Sequence, residues 1–185
     1  MTKLIIALII SSVSPCQKSL NLLRKIGIFT ASFEESIQSK ALGNSVINGM
    51  IWFKHNRARI EIYQPDTEYV FIEDTLIKTL NLRDSTLIIQ RKMGKTEFFY
   101  NLVEKNQANR IETAGDICIA WFYPDIESID SIKFLFTRKS IPLEAVLFQA
   151  NVVVKVKLKN FKILKNLPDS LFTVPKVPGI HIIKF

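Results

Sequence analysis

From Ile28 almost to the end, the chain alternates its chemistry every second residue, in short runs separated by turn-forming residues. Phe29, Ala31 and Phe33 alternate with Thr30, Ser32 and Glu34, the signature of a strand with one face buried. Similar strand-like runs follow at Val46–Lys54, Arg57–Tyr63, Glu68–Glu73, Leu76–Leu82 and Thr86–Arg91. They resume at Ile117–Tyr123, Ser131–Thr137, Glu144–Gln149 and Val152–Leu164. Turns such as Gln64-Pro65-Asp66 and Arg83-Asp84-Ser85 carry the residues that reverse a chain. Many short strands joined by tight turns predict an antiparallel meander closing into a barrel or sandwich. No linker divides the 185 residues, so one domain is expected, and 13 Phe with 2 Trp supply it with core. Six Gly are too few for a repeat scaffold or a glycine-rich phosphate loop.

Two segments break the period of two. Residues 17–27 set Leu20, Leu23 and Ile26 at helical spacing, with Ser19 as the expected cap and Gly27 as the stop. Residues 96–105 carry Phe98, Phe99, Leu102 and Val103 as a helical stripe behind Thr96. The tail from Leu171 to Ile183 is expected to be extended and to end in an edge strand, because its prolines cannot donate to a central ladder.

The N-terminus reads as an export leader: Lys3, then an apolar run from Leu4 to Ile10, then small residues up to Cys16. The run is too short to span a bilayer. Residues 1–16 are therefore expected to be a signal peptide and 17–185 the mature domain, placing the protein in the periplasm. An alternative treats Val13-Ser14-Pro15-Cys16 as a lipobox that acylates Cys16, with Pro15 a poor fit. Without residues 1–16, Cys118 is left as a single cysteine, expected to be a small core residue with no disulfide.

A net charge of +8 suits an acidic partner or an anionic surface. The positive residues are dispersed, and Lys155, Lys157 and Lys159 interleave with valines as on a solvated sheet face, so no nucleic-acid role is expected. His55 and His181 are isolated, and neighbouring carboxylates such as Glu34–Glu35 point to opposite faces of a strand. No catalytic or metal-binding motif is present, and the expectation is a non-enzyme without metal or cofactor.

Several motifs, in this order, resemble the outer-membrane lipoprotein carrier family LolA. Phe29, Ala31 and Phe33 match its first strand, with Glu35 where the family often has Gln; Gly49, Trp52 and Lys54 match the second. Arg59 and Glu61 with Pro65-Asp66 follow, and the end matches best through Asp169, Phe172, Pro178, Gly179, Ile180 and Ile182. The chain departs from the family where one residue is missing between Trp52 and Arg59, leaving Lys54 or His55 at the family's arginine position. It departs again where Ile60 replaces a tryptophan and Glu73-Asp74 a turn glycine.

The resemblance implies an α+β, mainly antiparallel β fold: a curved, unclosed half-barrel with helices over its concave apolar face. It implies a monomeric chaperone that takes lipoproteins, by their acyl chains, from an inner-membrane ABC exporter to an outer-membrane receptor. Cavity candidates are Trp52, Ile60, Ile62, Val70, Ile72, Phe134 and Phe136, with Phe98, Phe99 and Leu102 as a lid. The alternative function is a receptor or envelope sensor on the same half-barrel, anchored through Cys16.

Overall fold

The computed structural model describes residues 14–41, 43–73, 75–91, 107–125 and 129–185. The leader core and the expected helix at 96–105, with Phe98, Phe99 and Leu102, lie outside the described residues. The chain opens with α1 (Pro15–Leu23) and continues through two groups of strands. The first is β1 (Ile28–Ser39), β2 (Gly43–Lys54), β3 (Arg57–Gln64), β4 (Glu68–Ile72), β5 (Leu76–Asn81) and β6 (Thr86–Arg91). The second is β7 (Arg110–Ala114), β8 (Ile117–Phe122), β9 (Ser131–Thr137), β10 (Pro142–Gln149) and β11 (Val152–Ile163). A 3₁₀ turn at Asp169–Phe172 precedes β12 (His181–Lys184).

The twelve strands of the described residues form one open sheet in the order β12-β6-β5-β4-β3-β2-β1-β11-β10-β9-β8-β7. Each group is a hairpin meander, and β1 pairs antiparallel with β11 to join them. The pairing of β12 with β6 is parallel, because residues 164–180 carry the chain across the sheet before it re-enters at the edge. The strand expectations therefore hold closely; β7 had no clear alternation and was not anticipated.

Register settles which side chains share a face. Directly paired residues of antiparallel strands lie on the same side. Phe29 pairs with Phe53, Phe53 with Ala58 and Ala58 with Ile72. Across the join, Ala145 pairs with Phe134, Phe134 with Ala120 and Ala120 with Ile111. This face carries the main core, into which α1 inserts Cys16, Leu20 and Leu23. It is called the helix face below.

The opposite, tail face carries a second core of Phe71, Leu80 and Leu87, packed by Val174, Val177 and Ile180 from the crossing segment. That segment is pinned by charge. Lys54 Nζ donates to Leu167 O at 2.7 Å and to Asp169 Oδ1 at 3.0 Å, and Arg57 donates to the same carboxylate at 2.6 Å. The hydrogen bonds from Lys54 and Arg57 hold the Asp169 carboxyl below its ordinary range.

Two expectations about the N-terminus change. Helix α1 starts earlier than expected: Ser14, not Ser19, caps it, its side chain accepting from the Gln17 amide at 3.1 Å, and Pro15 takes the first helical position. Ser19 is buried and donates to Arg138 O. Cys118 is not solitary either, because Cys16 and Cys118 form a disulfide between α1 and β8, both sulfur-bearing residues fully buried. A leader ending by residue 13 keeps the cap and the disulfide; one ending at residue 16 removes both. Acylation of Cys16 would require the sulfur that this bond uses.

Candidate functional site: the apolar helix face

The helix face is far wider than α1. Beneath α1 the sheet is sealed: Phe53, Cys118, Ala120, Phe122 and Phe136 are all buried. Away from it, the same face continues as half-buried aliphatic side chains. Ile37, Ile47, Ile62 and Val70 extend it on β1–β4, and Val152, Val154, Val156 and Leu147 on β11 and β10. The period-two pattern is responsible, since each strand contributes every second residue to one plane, and β-branched side chains favour that pleated surface.

Six of the seven cavity candidates lie on this face. Ile60 and Ile72 sit at the margin of the main core, whereas Phe134 and Phe136 are within it and stack on each other at 5.4 Å. Ile62 and Val70 stand beyond the core, half-buried. Trp52 does not join them. It pairs with Thr30 and Arg59, one residue out of phase with Ile51 and Phe53, and so projects to the tail face. There its ring lies 5.7 Å from the Arg59 guanidinium, which also packs near Tyr69 and Phe71. Arg59 donates to Leu171 O at 3.2 Å and to Glu61 at 2.6 Å, so this aromatic cluster helps anchor the crossing segment. Single-sequence alternation could have revealed this, because Trp52 is flanked by the two apolar residues that set the phase.

Lys54 and His55, at the family arginine position, have separate places. Lys54 belongs to the tail-face clamp on Asp169. His55 occupies the β2–β3 turn at φ +54°, its amide donating to Gly27 O at 2.6 Å. It borders an open cleft of about 700 Å³ at the end of α1, lined also by Arg24, Lys25, Ile26, Phe53 and Ile163. Among the described residues no group of three or more His, Cys, Asp or Glu is arranged to hold a metal, and no helix is long and apolar enough to cross a membrane.

A carboxylate stands amid the aliphatic part of the helix face. Glu35, on β1, faces Ile47 on β2 and Val156 on β11. Burial pushes its carboxyl above the ordinary range.

Comparison with solved structures bears on the architecture. An uncharacterized conserved protein from Thermus thermophilus superposes with a TM-score of 0.61 at 11% identity, covering 93% of this chain and 100% of that one. A DUF1329 family protein from Desulfovibrio piger gives 0.51 at 10% identity, over 87% of this chain and 98% of that one. Both likenesses extend over nearly the whole of each chain, and with the open antiparallel sheet they decide the architecture. The fold is the one these two proteins share. A LolA superfamily protein from Nitrosomonas europaea also aligns, over 88% of this chain and 99% of that one at 12% identity, but its TM-score of 0.49 is too loose to add weight. No family model and no curated sequence matches the chain, so the likeness bears on its fold and not on its activity.

Proposed function

We propose that this chain is an exported, non-catalytic binding protein that takes the acyl chains of lipoproteins against the apolar helix face of its sheet. The observation that carries the reading is the extent of that face: the half-buried aliphatic residues beyond α1 form an apolar wall that the helix does not seal. Each methylene moved from water onto such a wall contributes about 0.8 kcal/mol. Curvature of the sheet about this face would make it a half-barrel, with Ile62 and Val70 as accessible wall and Ile60, Ile72, Phe134 and Phe136 as its floor.

On this reading the protein works in the periplasm, collecting lipoproteins from an inner-membrane ABC exporter and passing them to an outer-membrane receptor. The disulfide supports an oxidising compartment. It also favours the soluble carrier over a Cys16-anchored receptor, since the Cys16 sulfur is engaged.

The test is binding of a synthetic diacylglyceryl-cysteine peptide to delipidated protein, followed by displacement of an apolar fluorescent dye. Binding should fall at least tenfold in Ile62→Glu with Val70→Glu and stay unchanged in Trp52→Ala, whose side chain is on the other face. A folded protein that binds neither dye nor lipopeptide overturns the proposal.

A further inference from the structure

The wall that would receive acyl chains contains a carboxyl group that has no ion-pair partner among the described residues. Register identifies its surroundings. Along β1 the same-face neighbours of Glu35 are Phe33 and Ile37. Across β2 they are Gly49, Ile47 and Ser45; across β11 they are Leu158, Val156 and Val154. Ser45 is the one polar side chain among these eight positions, and no cation stands among them. Among the described residues Glu35 has no hydrogen bond or ion pair.

Its neighbour Glu34, on the tail face, is bridged by Lys159 at 3.1 Å and Lys157 at 3.6 Å. The lysines of β11 thus serve the other side of the sheet. The second carboxylate of the helix face, Glu68, accepts from Asn81 Nδ2 at 3.1 Å. Of these three, Glu35 is the one without a hydrogen bond or ion pair among the described residues. Partial burial pushes its carboxyl up, so its charged form is less well solvated here than in open water and would gain from a cation beside it.

We infer that Glu35 makes the helix face selective for amphiphiles that carry a protonated amine beside their hydrocarbon chain. An ammonium placed on Glu35 gains a charge-assisted hydrogen bond in an apolar setting, where such bonds are strongest. A carboxylate or phosphate headgroup there would be repelled. This selectivity rests on the acyl-binding reading above and opposes the overall charge of +8, which by itself would draw anions.

The experiment compares 1-aminododecane, dodecan-1-ol and dodecanoate, all below their aggregation concentrations, as competitors of a bound apolar dye at pH 7.5. The full chain is used as wild type, Glu35→Gln and Glu68→Gln. The expected order in wild type is amine tighter than alcohol by at least tenfold, with dodecanoate weakest. Glu35→Gln should remove the amine's advantage while the alcohol binds as well or better, and Glu68→Gln should keep it. If all three displace the dye without preference, or the preference survives in Glu35→Gln, the selectivity is overturned and the apolar site stands. If the dye binds nowhere on a folded protein, both readings fall.

Discussion

Replacing Cys16 and Cys118 together by alanine removes the covalent link between α1 and the sheet. The two residues are 102 positions apart, and closing a loop of that size in the unfolded chain costs about 4.7 kcal/mol in the chain-entropy description. Both are buried, at 1% and 0% exposure, so alanine also leaves small voids beside Leu20 and Phe136. Strain and residual unfolded structure reduce the observed effect, and a loss of about 2–5 kcal/mol is expected. For a chain of this length that corresponds to a fall in Tm of roughly 5–15 °C. Urea unfolding of the oxidised wild type, the wild type in dithiothreitol and the double variant measures it. The last two should unfold together, well before the first, and amides of α1 should exchange faster in both. Superimposable oxidised and reduced curves, or two alkylatable thiols in the native oxidised protein, would refute the reasoning.

Other expectations follow from particular contacts. A Cβ at Gly49 would lie 2.6 Å from the Phe33 ring and would press on the Glu61 carbonyl, so Gly49→Ala should cost about 1–3 kcal/mol in chemical denaturation. Phe71→Ala empties the centre of the tail-face core and should cost about 3–5 kcal/mol while raising proteolysis within 164–180. The Asp169 carboxyl is held low by Lys54 and Arg57, so its contribution is present above the ordinary value of 3.8 and disappears as pH falls through the lower folded value. Hydrogen exchange of 164–180 should accelerate over that acid range in wild type, and Asp169→Asn should be fast throughout. Glu35 has the opposite sign: its raised carboxyl favours the folded state least at high pH, so Glu35→Gln should raise Tm at pH 7.5 and lose that advantage towards pH 4.

Much of this fold was legible because the signal was local. Phe29, Ala31 and Phe33 alternate cleanly, and β3, β6, β9 and β11 begin where the pattern begins. Strand β7 escaped notice because Arg110–Ala114 holds a single large apolar residue, Ile111, and is recruited by pairing with β8. Trp52 lies one residue out of phase with Ile51 and Phe53, so alternation along β2 puts it on the tail face despite its apolar character. The second core could not be read from the tail, because Val174, Val177 and Ile180 have no strand or helix period; they take their positions from the surface they cross. The disulfide is not legible because a leader of residues 1–16 leaves Cys118 without a partner cysteine, although Ser14 and Pro15 carry the pattern of a helix start.

The join between the two meanders also bears on how the molecule comes to be folded. Every hairpin within a meander brings together residues close in sequence, but Phe33 must meet Leu158 and Ile37 must meet Val154. Such long-range pairings close late, because the entropy of a large loop is spent before any contact repays it. A chain emerging amino-end first forms β1–β6 while the hydrogen-bonding edge of β1 is still vacant, and β11, which begins at Val152, emerges only well after β6 has ended at Arg91. During that interval β1 is a bare edge open to wrong partners, including β1 of another copy. The steps of assembly are thus set at the middle of the finished sheet, where the native structure looks most secure.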